Sequence, residues 1–122
     1  AGIKKPNYMQ GESMVELISG EKVKDWRKSV FFEYYVDDAW PYAGPDQIAV
    51  RTNEYKLIDN FLKNDIDELY DLINDPGEMT NLINDVNYDQ IEEGLRNEAE
   101  KLKKQYNYNP DRDWWLRKQI LK

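Results

Sequence analysis

Neither cysteine nor histidine occurs anywhere in the 122 residues. The first absence excludes disulfides and thiolate chemistry, and it leaves the redox compartment undetermined. The second removes the side chain that most often acts as a general base near neutral pH and as a zinc ligand. With no Cys, no His and no nucleophile set beside a base, an independent enzyme has little support. Long apolar runs are absent too: nothing approaches the ~20 residues that a membrane-spanning helix needs. Positive charge is the minority sign, with 17 basic against 24 acidic residues and a net charge of -7. Such a chain has no broad cationic face for displacing the counterions of a nucleic acid. It would also have to hold any polyanion through a few placed cations rather than through its overall field.

What is present is one domain's worth of pattern. Residues 1–11, AGIKKPNYMQG, carry no periodicity and read as an extended lead-in with a turn. The opening Ala1-Gly2-Ile3 has no signal-peptide character and reads as the start of a piece rather than of a whole protein. Ser13-Met14-Val15-Glu16 fits a capping box. Met14, Leu17 and Ile18 follow at helical spacing, and Gly20 stands where a helix stops. Val30–Tyr35, VFFEYY, is rich in aromatic and β-branched residues and reads as a strand, placed centrally. Gln47–Thr52 alternates and turns through Asn53-Glu54 into Tyr55–Asp59, a two-residue hairpin in which Asn53 tolerates positive φ. A further strand, Glu68–Leu72, ends at Asn74-Asp75-Pro76-Gly77. The last long element is a helix over Tyr88–Tyr106 with Asn87 as N-cap and Gln90 at N3. Its apolar stripe is Ile91, Leu95, Ala99, Leu102 and Tyr106, which requires an apolar surface beneath it. The expectation is therefore an α+β fold: a small antiparallel sheet of about four strands with one long C-terminal helix packed on one face.

The strings AVRT-x-x-YKLI (Ala49–Ile58) and ELYDL-x-x-DP-x-E-x-x-NL (Glu68–Leu82) resemble the C-terminal region of the type I, formylglycine-dependent sulfatases. The pattern is most similar to the N-acetylglucosamine-6-sulfatase and iduronate-sulfatase-like branches. The segment Met9–Gly20 resembles the family's link out of the catalytic domain. The resemblance implies a parent that hydrolyses sulfate esters, in particular on glycosaminoglycan-type sugars. It also implies a calcium ion and a formylglycine upstream, an exported parent, and two partners: the catalytic domain of the same chain and, through the parent, a sulfated saccharide. The formylglycine arises from a C/S-x-P-x-R context, and none of Ser13, Ser19 or Ser29 lies in one. The chain alone is expected to be inactive. The implied division is a link over 1–20 with a short helix, the subdomain over 21–109, and a tail over 110–122 in which Trp114, Trp115, Leu116 and Ile120 need cover. The alternative is a free-standing saccharide-binding or protein-interaction module without catalysis.

Five residues are candidates for contact with substrate: Glu33, Tyr34, Tyr35, Trp40 and Arg51. Aromatic faces suit the apolar side of a sugar ring and a carboxylate suits its hydroxyls, while each aromatic taken singly is equally at home in a core or on a sheet. The resemblance implies that loop 36–46 is a rim element of the substrate cleft. Related sequences place a His and a Trp where this chain has Phe61–Ile66. Arg51 suits a bidentate sulfate or carboxylate contact, or else a structural pair with Glu33 or Asp71. The acidic run Asp65, Asp67, Glu68, Asp71 and Asp75 lacks the pattern of a calcium loop, so it is read as a solvated strand edge, and no metal site is expected.

Overall fold

The computed structural model describes residues 3–35, 46–60 and 65–109. The expected tail helix after Pro110, with its tryptophans, lies outside the described residues. The element order is α1 (Val15–Ile18), β1 (Val30–Tyr34), β2 (Gln47–Arg51), β3 (Tyr55–Asp59), β4 (Glu68–Asp71) and α2 (Asp89–Gln105). The strands form one antiparallel sheet in the order β1-β2-β3-β4. This is the expected α+β architecture, with one correction: β1 is an edge strand, not a central one. Its aromatic content had argued for the centre, but a meander always leaves its first strand at an edge.

Strand alternation divides the side chains cleanly. Ile48 and Val50 of β2, Leu57 of β3 and Leu69 of β4 face α2 and are buried. Val50, Leu57 and Leu69 meet Leu95, Ala99 and Leu102 from the helix, with Phe31, Ile91 and Tyr106 packed around them. The helix stripe read from the sequence is thus the stripe that makes the core.

The caps differ from the sequence expectation. Ser13 accepts from the Val15 N–H at 3.4 Å, and the Ser13–Glu16 capping box does not form. The stop of α1 is as expected: Gly20, at φ 77°, donates to Leu17 while Glu21 donates to Glu16, the two bonds of a Schellman ending. The apolar residues of α1 stand exposed. Asn87 does not cap α2, because its N–H and its amide both turn to Asp85 Oδ1, at 3.0 and 2.8 Å, leaving Tyr88 at the N-cap position. The β2–β3 turn also differs. Positive φ among non-glycine residues is confined to Glu78, Asn84 and Asn107 within the described chain, so Asn53 does not use it. The Thr52 hydroxyl instead accepts from the Glu54 and Tyr55 N–H groups at 3.2 and 2.9 Å and closes the turn itself.

The signature from Glu68 to Leu82 is a set of side chains that cap backbone. Asp71 accepts from the Ile73 and Asn74 N–H groups and from the Asn74 amide. Those bonds from Asn74 and Ile73 hold its carboxyl below the usual range. Asp75 accepts from Met79 and Thr80 at 2.7 and 2.8 Å. Asn81 lies along the outer side of β4: its Oδ1 accepts from Leu69 and Ile83 N–H, and its amide donates to the Asp67 carbonyl, all at 3.0 Å. With the Leu82 N–H donating to the Leu69 carbonyl at 2.8 Å, the strap 81–82 satisfies an edge that would otherwise be unpaired. The acidic run is therefore more than a solvated edge. Asp67, Asp71 and Asp75 are committed to backbone and to Arg96, and Glu68 accepts from the Tyr70 hydroxyl.

Candidate functional site

The candidate site lies at the edge strand β1, on the side that faces α2. Phe31 and Glu33 share this side by alternation, and Tyr35, one residue past the strand, continues it: its hydroxyl donates to Glu33 Oε2 at 3.3 Å. The ring of Phe31 stacks on Tyr106 (centroids 6.5 Å, 25°) and takes Tyr108 edge-on (5.7 Å, 78°). The ending of α2 fixes both partners. Asn107 adopts φ 58°, Tyr108 N–H donates to Lys103 at 2.8 Å and Asn107 N–H to Lys104 at 3.3 Å, so the chain reverses and presents Tyr108 back toward β1. A cleft of about 270 Å³ opens here, lined by Gln10, Gly11, Arg27, Phe31, Glu33 and Tyr106 among others. It offers a carboxylate, a guanidinium and aromatic faces.

Electrostatics keeps Tyr35 a donor. Burial, helped by its hydrogen bond with Tyr108 and by Glu33, pushes the phenol well above its ordinary value. At neutral pH the site can donate and accept hydrogen bonds and stack on an apolar ring.

Of the sequence-predicted residues, Glu33 and Tyr35 are brought together here. Tyr34 points to the opposite face of the sheet and is 60% exposed. Arg51 stands on that same opposite face, where its register partners are Val30 and Lys56. The expected pair with Glu33 or Asp71 is absent, because both carboxylates lie on the helix side. Trp40 and most of loop 36–46 fall outside the described residues. Arg27, Tyr106 and Tyr108 were not singled out from the sequence: Arg27 reaches the site from the segment before β1, and the two tyrosines from the end of α2 and just beyond it, where only the packing of α2 on the sheet reveals them. No set of three or more potential ligands converges on a metal position among the described residues, and the acids nearest to one another are already engaged. Neither calcium nor formylglycine has residues here that fit it.

The profile of the family described as N-sulphoglucosamine sulphohydrolase, C-terminal, matches residues 1–105. The chain belongs to that family. It is a sulfatase C-terminal subdomain, as the two motifs implied. An N-acetylglucosamine-6-O-sulfatase of Bacteroides thetaiotaomicron is 34% identical over 116 residues, covering 91% of this chain and 20% of its own length. A Delta 4,5-hexuronate-2-O-sulfatase of the same organism is 34% identical over 91 residues, covering 75% of this chain and 18% of its own length. The chain thus spans about a fifth of the length of the curated relatives it matches. In three dimensions it superposes with a TM-score of 0.81 and 29% identity on a protein solved in complex with its substrate D-glucosamine-2-N,6-O-disulfate, covering 89% of this chain and 22% of that one.

Proposed function

We propose that this chain is the C-terminal part of a sulfatase that hydrolyses sulfate esters on glycosaminoglycan-type sugars, and that it completes the fold and borders the substrate cleft. Residues 1–20 act as the link from the catalytic domain, 21–109 as the subdomain and 110–122 as its tail. The observation that carries the reading is the family match over residues 1–105 on a sheet and helix that superpose on a substrate-bound relative. The residues here would contribute recognition: Glu33 accepts from sugar hydroxyls, Tyr35 donates, and the aromatic rings near them take an apolar ring face. A nucleophile, its calcium and the groups that handle the leaving alcohol would come from the rest of the protein, since the chain has no Cys or His.

The test is an assay of inorganic sulfate released by the full-length protein from D-glucosamine-2-N,6-O-disulfate and from a 2-sulfated unsaturated uronate. Release from either supports the reading. A folded full-length protein that cleaves neither these nor longer sulfated oligosaccharides sinks it. Glu33→Gln should raise KM several-fold more than it lowers kcat, as expected of a contact made equally in the ground and transition states.

A further inference from the structure

Two charged residues among those described line the β1 cleft, Glu33 from the strand and Arg27 from the segment before it. Binding of sugar hydroxyls and ring faces needs the first and leaves the second without a task. The two do not pair with each other, and neither is in an ion pair with any described residue. Several cations of the chain are partnered where an acid is within reach: Lys56 with Glu78, Lys101 with Glu98, Lys103 with Glu100. The Arg27 guanidinium instead lies 5.1 Å from the Trp26 ring centroid, a contact that restricts its orientation and needs none of its N–H donors. On its other side Arg27 borders a second cleft, of about 350 Å³, which Lys28 and Arg51 also line and no described acid does. In a chain whose net charge is -7, Arg27 thus marks where the local potential turns from negative at Glu33 to positive.

Resting on the sulfatase reading, we propose that Arg27 is a specificity-determining residue: it receives an oxyanion of the sugar other than the group being hydrolysed, a second sulfate or a carboxylate. The chemistry of the cleft selects that class. A guanidinium has five N–H donors and no acceptor, keeps its charge at every working pH, and its planar fork matches the paired oxygens of a sulfate or a carboxylate. A sugar with hydroxyls alone would satisfy Glu33 and Tyr35 and leave that fork without an acceptor. At about 270 Å³ the cleft lies just under the roughly 300 Å³ at which pockets for drug-sized ligands begin, so it takes a single sugar unit. The second oxyanion and the group being hydrolysed then sit on the same unit. Polarity fixes how that unit lies: hydroxyls toward Glu33 and Tyr35, the oxyanion toward Arg27 and the cationic side, and the reacting group toward the rest of the protein.

The experiment measures kcat and KM of the full-length protein on two matched pairs of compounds that differ in the second oxyanion. One pair is D-glucosamine-2-N,6-O-disulfate and the monosulfate that keeps the released group, its amine acetylated where bare. The other is a 2-sulfated unsaturated uronate and its methyl ester. Wild type should prefer the dianion through KM, by roughly fivefold to tenfold, between the worth of an exposed ion pair and that of a hydrogen bond to a charged group. Arg27→Gln should bring that ratio close to 1, and Arg27→Lys, which keeps the charge and loses the fork, should retain part of it. A shift in the first pair names a sulfate as the ligand, and a shift in the second a carboxylate. A structural role for Arg27 would lower activity on both members alike, so a ratio moved by less than about twofold would overturn the proposal. If Arg27→Gln does not fold, the other two proteins decide: a wild type without preference, or a lysine variant with the wild-type ratio, overturns it equally. Sulfate release with an unmoved ratio defeats the assignment of Arg27 alone. No release from any of the four compounds by folded wild type defeats the sulfatase reading and this assignment with it.

Discussion

Replacing Asn81 by alanine isolates what the strap along β4 contributes. Its carboxamide makes three hydrogen bonds at 3.0 Å, to Leu69 N–H, Ile83 N–H and the Asp67 carbonyl. A typical bond is worth about 0.5–1.5 kcal/mol net, and a buried donor left without a partner costs about 1–3 kcal/mol. Ile83 and Asp67 are only partly buried and regain water when the carboxamide is removed, so their bonds count little. Leu69 is fully buried, so its N–H is the donor that most depends on the carboxamide. The loss should therefore come to about 2–3 kcal/mol, dominated by that one donor. At a urea m-value of about 1.5 kcal/mol/M, the unfolding midpoint should fall by roughly 1.5 M with m unchanged. Asn81→Asp keeps the acceptor and loses the donor, so it should lie between wild type and alanine. Urea titration of the three proteins by far-UV circular dichroism decides the matter. A loss below about 0.5 kcal/mol for Asn81→Ala would show that Leu82–Leu69 pairing alone holds the edge, and that the carboxamide is incidental.

Leu69→Ala, at the centre of the core, should destabilise by about 2–5 kcal/mol in the same titration, whereas a change under 1 would mean that the helix collapses onto the gap. Gly94 sits inside α2 with nothing within 4 Å of where a Cβ would stand; Gly94→Ala should stabilise by about 0.5–1 kcal/mol, and a lower melting temperature would contradict this. Acid should weaken the fold through Asp71 and Glu98. Hydrogen bonds from Asn74 and from Ser29 hold their folded pKa values below the unfolded ones, so the stability they contribute is complete above about pH 4.5 and is lost as pH falls through the depressed folded values. Asp59 works the other way. Burial and the neighbouring Asp67 raise its folded pKa, so Asp59→Asn should flatten the part of the pH–stability curve where stability falls as pH rises from about 4, the unfolded value, toward the raised folded one. A pH–stability curve from 3 to 7 whose shape is unchanged in Asp59→Asn and in Asp71→Asn would refute both assignments.

The strands and the long helix were legible because alternation and the 3.6-residue stripe survive in a single sequence: Ile48, Val50, Leu57, Leu69, Leu95, Ala99 and Leu102 declare their faces by spacing alone. Caps were less legible. Asn87 looks like an N-cap until its carboxamide turns to Asp85 and Tyr88 takes the N-cap position, and Ser13 looks like half of a capping box until the geometry leaves Glu16 out. Both are contests between local hydrogen bonds of similar strength, which pattern does not rank. The placement of Arg51 was legible and was misjudged: a two-residue loop at Asn53-Glu54 already pairs residue 51 with 56, hence with a lysine, and parity sends Glu33 and Asp71 to the other side. Tyr106 and Tyr108 could not have been assigned to Glu33 and Tyr35 from spacing, since more than seventy residues separate them and only the docked helix closes the distance.

Each strand lies beside its neighbour in sequence, and the helix returns across them only at the end. Formation of the sheet therefore needs no large loop to close before contacts begin to reward it. The ends are joined late, by Ser29 donating to Glu98 at 2.6 Å and by Phe31 meeting Tyr106 and Tyr108. On a ribosome, the meander can assemble as its strands emerge, and it becomes a closed unit only once the turn after residue 105 has left the tunnel, so the edge strand that carries Glu33 is the first to emerge and the last to be fixed in place.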